Sequence, residues 1–449
     1  MMETGTADLG TQVDAVSNQV PNLPGGRRTI ISVAALYILL PLWWWIGIEQ
    51  FVWPIGLGLL ALVLVVREQN KILLPATARW LLIFMLAQLA SAAFIREPAR
   101  IITFLRTLST YVAAFLAVVV VCNSLRRRED FDRLLKVLVL LLAVCGTIGL
   151  LAILGVWRPE FDSPVGKLLP QWIRDTTYGG AVADRSVGRA AHFLGLSYFR
   201  LTGLFLFPNQ YGQFIVTTVP VAYLLLRRAS RKREQGLYLL TIVIALVNLL
   251  WTTGRVPLLA FLAGGAIALG GPVVRRYLKF AIVAGSLLLV LGIALVAFSP
   301  AARVRLGQAV ETALYARGAG PVDERFAVYG PTLQGFLERP VLGWGTERDI
   351  PESVYPAGSH SYYLGILYKH GVVGLLAWLG LVWALLSETR LDPLLSQAGV
   401  RVARDWVLAA MSILSLTVVP DLDASAFAAL WLIFSLFLMA GRLPRSDDA

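Results

Sequence analysis

Long apolar runs separated by short polar clusters fill the chain from residue 29 to residue 441. They lie near 29–48, 51–66, 78–95, 101–123, 134–157, 199–226, 236–253, 256–271, 280–298, 361–387, 405–420 and 424–441. About 20 apolar residues carry a helix across the hydrocarbon core of a bilayer. The pattern therefore predicts an all-α polytopic membrane protein with about twelve transmembrane helices. A β-barrel is excluded, because barrel strands are short and alternate in polarity. Two longer polar stretches, 158–198 and 299–360, interrupt the runs. In the second, Leu306, Val310 and Leu314 recur at helical spacing, as do Phe326, Tyr329, Leu333 and Phe336. Two short amphipathic helices are expected there, the second kinked at Gly330-Pro331.

The polar clusters set an orientation. Arg67 and Lys71, then Arg126, Arg127 and Arg128, then the stretch 227–234 with five basic residues in eight, fall on one side. So do Arg275, Arg276 and Lys279, and Arg390, Arg401 and Arg404. Lys and Arg concentrate in cytoplasmic loops, so both termini are expected in the cytoplasm, with 158–198 and 299–360 on the far side. The resulting organisation is a disordered cytoplasmic tail (1–26), nine transmembrane helices (27–298) and a large periplasmic loop (299–360). Three further helices (361–441) and a cytoplasmic tail (442–449) complete it. The first run follows Arg27-Arg28 and reads as a retained signal anchor. No internal repeat is visible, which disfavours transporter folds built from duplicated halves.

Composition changes the picture in two places. Only 15% of the 449 residues are charged and 57% are hydrophobic, whereas a soluble domain carries roughly 25% charged residues. The net charge of +12 resides mostly in the juxtamembrane clusters, so it signals topology and contact with membrane lipids rather than nucleic acid. Cys122 and Cys145 both lie inside apolar runs and read as small core residues. No Cys/His cluster has metal-ligand spacing, and no Gly-rich phosphate loop occurs.

The candidate chemistry gathers on the non-cytoplasmic side. Arg200, Arg255, Arg325 and His360 fall there although 160 residues separate the first from the last. Arginine presents a planar fork matched to phosphate oxygens, so the cluster suits a lipid diphosphate. His360 stands in Gly358-Ser359-His360-Ser361-Tyr362-Tyr363. Ser359 is the expected N-cap, which puts His360 in the first helical turn, where the dipole favours the neutral ring a general base requires. Arg255 lies in the tight turn Thr252-Thr253-Gly254-Arg255, against the positive-inside rule. Pro208 and Asn209 interrupt the run that Arg200 opens, and such a break often lines a polar cavity. Arg106 lies five residues into its run, where a charge marks a site or a partner. Asn209, Arg106 and Tyr363 are supporting candidates. The plainer reading of each arginine is an interfacial anchor, and of His360 a headgroup contact. His192 and His370 read as structural, Asp421 and Asp423 as salt-bridge partners, and Lys369 has no evident role.

The stretch Gly343-Trp344-Gly345, followed by His360-Ser361-Tyr362-Tyr363-Leu364 and Gly371, resembles the signature of the bacterial O-antigen ligase and polymerase superfamily. Arg325 with Glu338-Arg339-Pro340, the Pro208-Asn209 break and the Gly254-Arg255 turn resemble it too. Gly254 departs from the serine expected there. The resemblance runs from Arg200 to Gly371 and implies a GT-C-type glycosyltransferase of the bacterial inner membrane with a periplasmic active site. Its donor would be an undecaprenyl-diphosphate-linked glycan and its acceptor a hydroxyl of the lipid A-core, without cofactor or metal and with inversion. Arg200, Arg255 and Arg325 would hold the diphosphate, and His360 would orient or deprotonate the acceptor. A polymerase acting on lipid-linked repeat units is the near alternative. A lipid-linked glycan flippase is the alternative of another class, and it would need polar groups near the bilayer midplane.

Overall fold

The computed structural model describes residues 25–68, 72–193, 196–270, 323–350, 355–390 and 398–443. The run at 280–298, the segment 301–317 and nearly all of both tails lie outside the described residues. The long helices are α1 (Gly25–Ile38), α2 (Leu40–Ile46), α3 (Glu49–Glu68), α4 (Ala76–Ala92), α5 (Pro98–Ser124) and α6 (Arg128–Ile153). After two short helices, α7 (Gln171–Arg174) and α8 (Thr177–Ala183), come α9 (Pro208–Arg228), α10 (Lys232–Trp251) and α11 (Arg255–Leu269). The last four are α12 (Asp323–Glu338), α13 (Tyr362–Glu388), α14 (Ala398–Leu414) and α15 (Ala424–Ala440).

Among the described residues, five helices are long and apolar enough to span a bilayer: α3, α5, α6, α10 and α13. A sixth span forms if the bent pair α1 and α2 counts as one, and α4, α11 and α15 are shorter apolar helices. This is a polytopic membrane protein. The run at 29–48, expected as one helix, bends by 51° at Leu39. Pro41 opens the second piece, and proline cannot continue the hydrogen-bond ladder of a preceding helix. All of α15 is buried, as an all-round apolar helix must be at the centre of a bundle. It packs along α5 and α9, while α13 packs along α4, and α11 along α14. Cys122 and Cys145 are buried free thiols.

The two ends of the bundle differ. At the end carrying the Arg126–128 and 227–233 clusters, Asn123 Oδ1 accepts from the Leu73 N–H at 2.7 Å. The Glu388 carboxylate there caps α4 through the Ala76 and Thr77 N–H groups, each at 2.8 Å. The opposite end is not purely helical, which corrects the all-α expectation. There β1 (Glu160–Asp162) pairs antiparallel with β2 (Asp184–Ser186), and β3 (Gly188–Phe193) with β4 (Leu196–Leu201).

This β-containing segment is bolted to the helices by buried polar bonds. Arg185 donates to both Glu49 oxygens at 2.9 and 2.8 Å, and each side chain is only 1% exposed. Gln50 Oε1 accepts from the Tyr178 hydroxyl at 3.1 Å and from the Ala424 N–H at 2.9 Å. Asp423 accepts from the Leu206 N–H at 2.8 Å and caps α15 through Ser425 and Ala426. Its expected salt-bridge role is thus replaced by capping, which suits a carboxylate at a helix N-terminus.

The run at 199–226 also differs from expectation. Residues 201–206 are buried yet not helical, with Gly203 at φ 58° against the Tyr211 ring. Pro208 does not interrupt a helix; it starts α9, where its missing N–H costs nothing. The run at 405–420 is likewise displaced, since α14 ends at Leu414. By contrast α12 passes through Pro331 as one helix.

Gly371 breaks α13 with φ 62° and ψ −162°. The segment that precedes the break in space is 340–345, and it satisfies the freed backbone groups. Trp344 and Gly345 donate to the Tyr368 and Lys369 carbonyls at 3.0 and 2.7 Å, while Val372 and Val373 donate to Pro340 and Val341 at 2.8 and 3.2 Å. Non-helical backbone at such depth is tolerated only when so paired. A Cβ on Gly371 would meet the Val341 carbonyl oxygen at 2.2 Å. Gly371→Ala is therefore expected to destabilise the protein by at least the roughly 1–3 kcal/mol of a forced left-handed residue. A lowered melting temperature in detergent would show it, and an unchanged one would refute it.

Candidate functional site

The antiparallel register of β3 and β4 places Arg189 opposite Arg200, so both side chains leave the same face of the hairpin. Arg200 Nε donates to the Thr252 carbonyl at 2.9 Å, and Nη2 to Asn209 Oδ1 at 3.2 Å. Strand β4, the first turn of α9 and the turn between α10 and α11 thereby meet at one guanidinium. That last turn is tight. Thr253 has φ 51°, Thr252 Oγ1 donates to Leu249 at 2.7 Å and accepts from the Gly254 N–H at 3.2 Å. A Cβ on Gly254 would lie 3.0 Å from Pro257, so the turn is fitted to glycine. Arg255 follows as the first residue of α11, with its side chain exposed beside the positive end of the helix dipole.

His360 belongs to the same end of the bundle. Gln210 and Gln213 of α9 donate to the Val419 and Pro420 carbonyls at 3.4 and 3.3 Å. The Tyr362 N–H donates to Ser415, at the end of α14, at 3.0 Å. The segment 415–420 thus links the arginine group to the loop that carries the histidine. The N-cap of α13 is Ser361, not Ser359. His360 therefore lies outside the helix, and the expected place in its first turn is corrected. It adopts φ 61°, a conformation uncommon for non-glycine residues, though more frequent for histidine than for most. Its carbonyl accepts from the Tyr329 hydroxyl at 3.1 Å, and its ring meets Tyr355 edge-on with centroids 4.1 Å apart. The loop is fixed further by the Gly358 N–H, which donates to Thr332 at 2.9 Å.

The remaining expected residues are distributed as follows. Arg106 lies over the Tyr178 ring at 4.5 Å and donates to the Leu422 carbonyl at 3.3 Å, joining α5 to the turn before α15. Tyr363 donates to the Ser412 carbonyl at 3.4 Å. Arg325 occupies the first turn of α12, four residues before Tyr329; its side chain is outside the described residues, as is that of His192. Asp421 is buried near the hydrogen-bonded hydroxyls of Tyr111 and Tyr362, and no ion pair with it occurs among the described residues. His370 is buried, with Nδ1 3.0 Å from the Ser91 hydroxyl. Lys369 pairs with Glu347 at 3.5 Å. The two line a pocket with Gln88, Thr103 and Thr107, which accounts for a lysine within an apolar run.

Arg189, Tyr329 and Tyr355 are missing from the residues expected at this end. The hairpin carries little local signal, since neither 188–193 nor 196–201 alternates in polarity. The tyrosines carry no local signal, because only the fold brings them to His360. Among the described residues, no group of three or more His, Cys, Asp or Glu converges as a metal site would require.

A helical membrane bundle with an arginine group and a strained histidine loop at one end is the class that fold and site define. Residues 240–379 match the family model described as O-Antigen ligase, and this match supports a place for the chain in the O-antigen ligase and polymerase superfamily. The matched stretch contains Arg255, Arg325 and His360, while Arg200 and Asn209 precede it. No curated protein matches the chain at a significant level.

Proposed function

We propose that the protein is an O-antigen ligase of the inner membrane. It would transfer a glycan from undecaprenyl diphosphate to a hydroxyl of the lipid A-core at the periplasmic face. The match to a superfamily of membrane glycosyltransferase-like enzymes supports the reaction class. The observation that carries the reading is the union of Arg200, Asn209 and the turn before Arg255 at the end of the bundle that also holds His360. The basic clusters at the other end support a cytoplasmic assignment for that end and a periplasmic one for the site. The same reading takes the full chain as a GT-C-type bundle of about twelve spans, with the tails and loops divided as the hydropathy divides them.

In this scheme the acceptor oxygen attacks the anomeric carbon as the bond to the diphosphate breaks, and the configuration inverts. The acceptor proton passes to His360. The electron pair leaves with the diphosphate, whose growing charge Arg200, Arg255 and Arg325 stabilise most in the transition state. Asn209 holds the Arg200 fork, and Arg106 and Tyr363 fix the neighbouring elements.

The test is an assay in detergent with lipid A-core and undecaprenyl-diphosphate-linked glycan. Product on the lipid A-core establishes the ligase. Lengthened undecaprenyl-linked chains alone would show a polymerase, and movement of the donor across liposomes without transfer would show a flippase. In the same assay Arg255→Ala is expected to lower the rate on the order of 10²-fold. Arg255→Lys should recover only part, because the bidentate contact is lost. EDTA is expected to leave the rate unchanged.

A further inference from the structure

We propose that Arg189 is a diphosphate-selecting residue, the second guanidinium of a fork completed by Arg200. The inference rests on the proposed polyprenyl-diphosphate donor and goes beyond it by naming the residue that distinguishes a diphosphate from a monophosphate.

Three observations carry it. Arg189 and Arg200 are directly paired across the β3–β4 ladder, so their Cβ atoms stand about 4.5–5.5 Å apart on one face. Like charges in that arrangement destabilise a hairpin, and among the described residues no carboxylate lies within ion-pair distance of Arg189. An anion held between the two forks would offset the repulsion. The Arg189 guanidinium also lies 5.7 Å from the centre of the Phe207 ring. Phe207 is the N-cap residue of α9, two positions before Asn209, which accepts from Arg200. Both arginines therefore reach residues at the start of α9, Arg189 at Phe207 and Arg200 at Asn209, beside the turn that presents Arg255. Finally, Arg189 is exposed, so its charge is available to a ligand, whereas the neighbouring Arg185 is consumed by Glu49.

The chemistry favours a diphosphate. Arg200 is already anchored to Thr252 and Asn209 and offers a fixed point for one phosphoryl group. Arg189 faces it from the opposite strand and is placed for the adjacent phosphoryl group, to which a planar fork binds through two parallel N–H···O bonds. A monophosphate satisfies one fork and leaves the other unused.

The experiment measures binding of undecaprenyl diphosphate and undecaprenyl monophosphate to the purified full-length protein in detergent. The wild type is compared with Arg189→Gln and Arg189→Lys. The expected result is a wild-type preference for the diphosphate that falls about tenfold in Arg189→Gln, with monophosphate binding changed less than about twofold. Arg189→Lys should keep the charge and recover part of the preference. Equal melting temperatures of the unliganded proteins would separate this from a folding defect. An undiminished preference in Arg189→Gln overturns the role of Arg189 and leaves the donor reading standing. Absence of diphosphate binding to the wild type overturns both. A preference lost equally in Arg189→Gln and Arg189→Lys, with lowered melting temperatures, assigns Arg189 to hairpin structure and also overturns the proposal.

Discussion

His360→Ala is expected to abolish glycosyl transfer, by on the order of 10²–10⁴-fold, while the protein still folds and still binds the donor. The imidazole is able to accept a proton near neutral pH, and two contacts of the loop around it survive the substitution. Tyr329 reaches the main-chain carbonyl of residue 360, and Thr332 the N–H of Gly358, so neither depends on the ring. The backbone at φ 61° complicates a simple alanine test, because histidine is better represented in the left-handed region than most other side chains. Two further variants separate ring from backbone. His360→Gly relieves the strain and removes the imidazole; His360→Asn tolerates the conformation and keeps a hydrogen-bonding amide without a base. Loss of transfer in all three, with donor binding retained, assigns the step to the ring as base. Substantial activity in Asn alone would make the histidine a hydrogen-bonding residue. Full activity in Gly would remove the side chain from the mechanism.

Hydropathy made the long helices legible because it reports average partitioning, and α3, α5, α6, α10 and α13 all lie under the expected runs. It misled where burial and helicity part company. The stretch 201–206 is as apolar as a span because it is buried, yet Gly203 turns it and helix formation waits for Pro208. A window of 20 residues cannot register one proline, so the bend between α1 and α2 was invisible as well. Loop position alone put Arg200 and the turn before Arg255 at one end of the bundle, where the structure joins them. The contacts themselves were not legible, since Arg200 meets Thr252 across 52 residues and Tyr329 meets His360 across 31. Lys369 and Asp423 show the same limit. Their charges are anomalous in sequence and ordinary once Glu347 and the N-terminus of α15 stand beside them. The break at Gly371 could have been suspected from the Gly343-Trp344-Gly345 motif, but only the paired backbone groups explain why both glycine sites are needed together.

The second large effect is expected in folding. Arg185→Ala should destabilise the protein by about 3–5 kcal/mol, because it leaves the Glu49 carboxylate buried and unpaired. Glu49 opens α3, and Arg185 lies on β2 in the segment that leads into the β3–β4 hairpin. The pair therefore ties the β-containing segment to the bundle. Gln50 donates to the same carboxylate at 3.2 Å while holding Tyr178 and Ala424, so the loss should spread to the support of Arg106, which lies on Tyr178. A double variant distinguishes the contribution of the pair from the cost of stranding one member. Replacing both residues with apolar ones of similar size, Glu49→Leu with Arg185→Met, removes the buried charges together, and such exchanges are often neutral or stabilising. Melting temperatures in detergent should therefore fall sharply for each single variant and recover in the double one. If the double variant is as unstable as Arg185→Ala, the pair does more than balance its own desolvation. In that case its geometry sets the position of β2, and transfer activity should stay low even where the fold is retained. If instead stability and activity recover together, the β-containing segment is positioned by its packing and by Gln50 and Asp423, and the ion pair is one of several interchangeable fastenings.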